Sequence, residues 1–250
     1  MKNKSEYIKF ILPLLIIFFW FIFTYTGKVP PTSLPKLSGV KDTFIELLKS
    51  GQLSNDLSLS LRRVLAGFFI SSILGISLGI FMGISSKAKE FFQLTLTAIR
   101  QIPMIAWIPL IILWAGIGEV SKIVVILFAA TFPIVINTMS GVDSTLETYL
   151  EVAKMYDLSK KDTFFKVYLP SALPNIFTGL RLGLGASWMA VVASELIASS
   201  SGIGYRLNDA RSLMRSDVVI VCMIIIGLVG LLMDKLIVLI SHELTPWKKN

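Results

Sequence analysis

Thiol and imidazole chemistry rest on one residue each: Cys222, inside an apolar run, and His242, near the C-terminal tail. A structural zinc site takes four protein ligands and a catalytic one takes three, so this pair builds neither. A lone cysteine closes no disulfide within the chain. A nucleotide-binding loop needs Gly-Lys-Ser/Thr at the head of a helix, and the one Gly-Lys pair, Gly27-Lys28, runs into Val29. No Ser–His–Asp set stands out, and the acidic residues fall mostly in polar connections. The chain is expected to be no enzyme, with no metal and no cofactor.

The remaining residues of chemical interest are charges within or beside apolar runs: Arg100, Arg181, Glu195, Asp234 and Lys235. An Arg or Lys at mid-bilayer costs roughly 2.5–3.5 kcal/mol on insertion scales. Arg100 and Arg181 fall near the ends of runs, where a long side chain reaches back to the interface. Asp234 and Lys235 are expected to pair locally. Glu195, near the far end of its run in VVASELIAS, is harder to dismiss: a structural role is the leading reading, with lining a pathway or holding a gate by a hydrogen bond as the other. Arg100, Trp107, Trp188 and Glu195 are the pathway or gate candidates.

The 250 residues are 54% hydrophobic and only 16% charged, with a mean hydropathy of +0.74. A soluble globule cannot hide that much apolar side chain from water, so a bilayer must be the solvent. The net charge of +8 comes from Lys and Arg scattered between apolar runs. That distribution fits juxtamembrane placement beside anionic headgroups and not a nucleic-acid partner.

A crossing helix needs roughly 20 apolar residues. Six runs qualify: Phe10–Thr26, Val64–Gly83, Ile102–Gly116, Ile123–Val142, Leu180–Ala198 and Val218–Ile240. The third is short and follows Arg100, Gln101 and Pro103, so its start is expected several residues earlier. The first follows Lys2, Lys4 and Lys9, yet TGKVPPTSLP after it lacks a small-x-small cleavage pattern, so it reads as a retained helix. A polar segment from Gly27 to Asp56 opens on Pro30, Pro31 and Pro35 and contains the amphipathic DTFIELL. Arg62 and Arg63 then lead into the second run. Residues 1–56 are taken as an N-terminal helix and loop, and 57–250 as the main membrane domain. Lys and Arg divide almost equally between the two sides, so the positive-inside rule sets no orientation.

Gly75, Gly79 and Gly83, and again Gly179, Gly183 and Ser187, recur every four residues. Small residues in a row let helix backbones approach closely in lipid. Packing within the chain is the plainer account, and a subunit contact or pore lining the other.

The stretch 143–174 is too polar to cross and too long for a plain connector. It reads as two short helices. The first, around Glu147 to Tyr156, stops at Asp157, a residue type tolerant of the left-handed conformation. The second starts at Ser159, with Asp162 completing a capping box, and is expected to end at Pro170 and Pro174. Within it, EVAKMYDLSKKDTFFKVYLP resembles the EAA coupling motif of ATP-binding-cassette importer permeases: EAA, three residues, Gly, nine residues, Ile, one residue, Leu-Pro. Glu151, Ala153, Leu169 and Pro170 match, Val167 stands for Ile, Val152 for the middle Ala and Asp157 for Gly. RQIPMIAWIPLIILWAGIGEVSKI, PSALPNIFTGLRLGLGASW and SSGIGYRLNDAR are similar to the nitrate/sulfonate/taurine branch of those permeases.

This resemblance implies an all-α integral membrane protein of the type I importer permease fold. It implies six transmembrane helices, both termini cytoplasmic in the cell membrane, and coupling helices docked on a separate ATPase. Its expected partners are two ABC ATPase subunits, an extracytoplasmic solute-binding protein, a second copy of the chain and the lipid bilayer. The implied cargo is a small anion, with aliphatic sulfonate ahead of taurine, nitrate and bicarbonate, and Arg206, Arg211 and Arg215 would suit it on the outer face. A vitamin precursor is the alternative cargo. A self-sufficient channel or secondary transporter, or a membrane anchor, are the rival classes, but no internal repeat is detected.

Overall fold

The computed structural model describes residues 3–27 and 29–248; Lys2, Lys28 and Lys249, counted in the charge balance, lie outside the described residues. The described residues form helices joined by short turns, with no strand among them: α1 (Asn3–Tyr25), α2 (Leu37–Lys49), α3 (Gln52–Ile84), α4 (Ser86–Gln101), α5 (Met104–Ala115), α6 (Glu119–Asp143), α7 (Glu147–Met155), α8 (Lys160–Thr163), α9 (Leu169–Ala198), α10 (Ile203–Ser212) and α11 (Ser216–Leu244).

Four of these bodies are long and apolar enough to cross a membrane: α3, α6, the continuous stretch Lys160–Ala198, and α11. The third apolar run departs from a single span. Its residues from Met104 onward form α5, which meets α4 at 99°, and only the bent pair together has the length and apolar content of a fifth span. Alone, the 12 residues of α5 are too few to cross. The break falls at Ile102, whose extended backbone (φ −78°, ψ 121°) is what a residue preceding proline adopts, and Pro103 has no N–H to continue the ladder. The first apolar run lies on α1 as the shorter stretch Ile11–Tyr25, tied down where the Trp20 indole donates to the Pro35 carbonyl at 3.0 Å.

The second departure is α9. Pro170 and Pro174 do not end a helix. They lie inside one, because a π turn at Phe164–Tyr168 joins α8 to α9. The wider turn shifts the hydrogen-bond ladder just ahead of Pro170, at the second position of α9, where a missing N–H is cheap.

At the centre, α6 is sandwiched between α3 and α9. The glycine rows make that contact within the chain. A Cβ on Gly75 would lie 2.7 Å from Ile134 Cβ, one on Gly79 2.6 Å from Thr138 Cβ, and one on Gly183 2.8 Å from Ile134 Cγ1. Each backbone therefore presses directly on its neighbour's side chains, which is how helices pack in lipid. The amphipathic α2 turns Val40, Thr43 and Leu47 inward, and the Thr43 hydroxyl donates to Asp217 of α11 at 2.6 Å.

Candidate functional site

The segment from α7 to the start of α9 forms a compact knob. At the end of α7, Leu158 N–H donates to the Ala153 carbonyl and Asp157 N–H to the Lys154 carbonyl, both at 3.0 Å, while Asp157 takes φ 49°. That is the full left-handed stop in which glycine is usual. Ser159 caps α8, accepting from Asp162 N–H at 3.0 Å. Its hydroxyl donates to the Asp162 carboxylate at 2.6 Å, so the reciprocal arm of the box closes on the side chain.

Of the motif residues, Ala153 is buried, Glu151, Val152 and Asp157 are exposed, and Val167, Leu169 and Pro170 are half-buried. Glu151 and Ala153 line a cavity of about 480 Å³ with Leu158, Phe164 and Tyr168. Val152, Val167 and Pro170 line an open groove of about 870 Å³ with Tyr149, Lys166 and Trp247. Leu169 packs toward Val142, Ala172 and Ile176, so the knob is continuous with α6 and α9. Tyr149, Val152, Met155 and Tyr156 leave an apolar face uncovered on the knob.

The four pathway candidates fall in three places. Arg100 and Trp107 come together, lining one cavity of about 320 Å³ at the α4–α5 break. Trp188 is not among its lining residues; it is buried on the α11 side of α9, where its indole donates to the Ile226 carbonyl at 3.0 Å. Glu195 is buried too, with 1% of its surface exposed, inside an ion cluster that joins α3, α6, α9 and α10.

That cluster is built on Arg63. Its guanidinium donates to Glu195 at 2.7 Å, to the Ser201 carbonyl at 3.0 Å, and with two nitrogens to Glu119 at 2.7 and 2.6 Å. Such a fork is the strong geometry for arginine and carboxylate. Glu195 also accepts from the Ser60 hydroxyl at 2.8 Å and from Gly204 N–H at 3.0 Å. Gly202 N–H donates to Asp56 at 3.1 Å and Ile203 N–H to Ser60 at 3.0 Å. The first N–H groups of α10, which have no partner in their own helix, are thus satisfied by side chains of α3 and α9. Acidic partners also suit the positive end of a helix dipole.

This arrangement explains the glycines in SSGIGYR. Gly202 sits at φ 106°, and a Cβ there would lie 2.4 Å from the Glu195 carboxyl carbon. Asp56, Ser60 and Arg63 escaped sequence reading, although their spacing puts them on one face of α3. The signal that could have exposed them is that lone Glu195 demanded a cation.

Several other charges also find partners. Arg206 pairs with Asp56 at 2.8 Å, Arg215 with Asp217 at 2.8 Å, and Arg211 donates to Asn208 at 2.8 Å, so the three arginines offered to an anion are engaged by the protein itself. Asp234 pairs not with Lys235 but with Arg181 across α9 and α11, at 2.8 Å.

Comparison with known proteins agrees with this architecture. The family model described as "Binding-protein-dependent transport system inner membrane component" matches residues 71–245. A protein of Methanocaldococcus jannaschii named as an ABC transporter permease is 38% identical over 254 residues, covering 99% of this chain and 94% of that protein. A Bacillus subtilis protein named as an aliphatic sulfonates transport permease is 38% identical over 240 residues, covering 96% and 87%. The solved structure of an amino acid ABC transporter with histidines superposes with a TM-score of 0.66 at 15% identity, over 80% of this chain and 98% of that one, a likeness of fold. The chain belongs to the binding-protein-dependent transport system inner membrane component family, and it is a membrane-embedded permease subunit of an ABC importer, a transport subunit and not an enzyme.

Proposed function

We propose that this permease carries a small oxyanion, an aliphatic sulfonate first, across the cell membrane as a homodimer driven by two ATPase subunits. The observation that carries the coupling half of this reading is the α7 knob: Tyr149, Val152, Met155 and Tyr156 are exposed and apolar on a segment stiffened by the Asp157 stop. An apolar helix face of that kind docks into a groove on a partner. The cargo half rests on similarity to a permease named for aliphatic sulfonates.

In this reading the knob and both termini are cytoplasmic. Glu151, Val152, Ala153, Asp157, Val167, Leu169 and Pro170 form the coupling set, with Val152 touching the ATPase and buried Ala153 holding the helix in place. An extracytoplasmic solute-binding protein delivers cargo at the opposite face, where α10 lies. ATP binding draws the paired knobs together and turns the pathway outward, and hydrolysis resets it. Alternating access needs only rigid-body motion and no covalent step in this chain.

Val152→Arg tests the coupling. It is expected to abolish co-purification with the cognate ATPase while the melting temperature of the permease stays unchanged, because the residue is exposed. Retained co-purification would sink the coupling assignment. A thermal-shift screen of the cognate binding protein tests the cargo. Stabilisation by alkanesulfonates that grows with concentration is the expected result, and stabilisation by a pyrimidine or flavin precursor alone would replace the anion. Uptake by the permease alone in liposomes, without ATPase, would instead point to a self-sufficient channel.

A further inference from the structure

Of the arginines on or beside the apolar runs, Arg63 is matched by Glu195 and Glu119 and Arg181 by Asp234, while Arg62 is exposed at the surface of α3. Arg100 has no hydrogen-bonding or ionic partner among the described residues. It lines the cavity of about 320 Å³ at the α4–α5 break together with Trp107, Phe128, Phe132, Asn137 and Leu182.

The cavity lies between the two ends of α6. Phe128 is nine residues from the Glu119 end of α6 and Asn137 six residues from the Asp143 end, which is about 14 Å and about 9 Å of helix respectively. Arg100 stands exposed in the last turn of α4, free to meet an anion that enters the cavity. The walls define what could neutralise this cation. Trp107 and Phe128 have ring centroids 5.4 Å apart and Phe128 and Phe132 6.3 Å, a continuous apolar wall. Asn137 gives one amide N–H to the Pro133 carbonyl at 2.8 Å and keeps its second donor. No acidic residue lines the space. A guanidinium fork matches an oxyanion in shape and charge, and the volume lies at the small end of ligand sites, roughly 300–1,000 Å³.

We infer that Arg100 and Asn137, facing the Trp107–Phe128–Phe132 wall, form a subsite that holds the oxyanion head of a short aliphatic sulfonate with its alkyl tail on the aromatic rings. This deepens the anion reading above and rests on it.

The test is titration of the purified permease–ATPase complex with ethanesulfonate, without binding protein, followed by tryptophan fluorescence. Wild type is expected to give a saturable change that Trp107→Phe largely removes. Arg100→Gln is expected to raise Kd about tenfold or more, the scale of a lost charge-assisted hydrogen-bond pair, and Arg100→Lys to recover part of it. If Arg100→Gln does not assemble, Trp107→Ala decides: it must weaken ethanesulfonate more than methanesulfonate, and an equal effect on both overturns the subsite. Unchanged Kd in Arg100→Gln also overturns it, and if wild type still takes up ethanesulfonate into proteoliposomes containing the full system, the anion reading survives. Absence of that uptake, with a heterocycle carried instead, overturns both.

Discussion

The guanidinium of Arg63 and the carboxylate of Glu195 meet at 2.7 Å although 132 residues separate them in the chain. Both are almost fully buried, at 4% and 1% exposure. Removing Arg63 strands the buried Glu195 carboxylate, at a cost of about 3–5 kcal/mol, whereas removing Glu195 leaves Arg63 its fork to Glu119 and costs less. Arg63→Met is expected to lower the melting temperature in detergent strongly, and Glu195→Met to lower it less. The double variant Arg63→Met with Glu195→Met is expected to lose less than the sum of the two. An additive double-mutant cycle would show that the two residues do not act as a pair.

Gly202 meets two constraints at once, a left-handed φ of 106° and a Cβ position 2.4 Å from the Glu195 carboxyl carbon. Gly202→Ala is expected to destabilise by about 2 kcal/mol or more, from backbone strain and displacement of a buried carboxylate. Gly39→Ala, on α2 with nothing within 4 Å of the new methyl, is the control, expected to be neutral or to stabilise by up to about 1 kcal/mol. Equal melting temperatures for the two variants would rule out the steric account.

Gly79 lets α3 touch α6, since its Cβ would meet Thr138 Cβ at 2.6 Å and the Val135 carbonyl at 2.7 Å. Backbone cannot move aside as a side-chain tip can. Gly79→Leu is therefore expected to cost about 3 kcal/mol or more and to reduce the yield of folded protein. A stripe serving only as a subunit contact would give a different result: a chain with wild-type melting behaviour that fails to assemble.

Asp157 holds its left-handed turn at some strain, because L-residues pay roughly 1–2 kcal/mol there and Asp somewhat less. Asp157→Gly is expected to slow hydrogen exchange of the amides at Asp157 and Leu158 slightly. Asp157→Val, β-branched and poorly suited to that region, is expected to speed it about tenfold or more. Unaltered exchange in the valine variant would mean that the turn does not depend on this residue.

Apolar length made the long crossings legible, and the Asp157 stop could be read because one residue type at one position suffices to mark it. What escaped reading depended on relations over distance. The prolines at 170 and 174 look like terminators when only neighbours are considered, and the π turn that accommodates them has no composition signature. Ile102-Pro103 opens the third apolar run, so its hydropathy marks where α5 begins but not that α4 ahead of it turns by 99°. Arg63 resembles any basic residue at the mouth of a span until α9 and α10 are brought against α3. Of the pathway candidates, Arg100 and Trp107 share a cavity through the same break, whereas Trp188 and Glu195 serve interfaces that no local pattern announces.

The stretch Lys160–Ala198 runs unbroken for 39 residues, about 58 Å of rod, with the knob at one extremity and the Arg63-bound Glu195 near the other. On the coupling proposed above, such a rod would act as a lever with its fulcrum at the ion cluster. A tilt of about 5° about that fulcrum carries the distant tip through about 5 Å over the same length. A small rotation near α10 and a larger stroke at the knob would then be one mechanical event, geared by the length of a single helix.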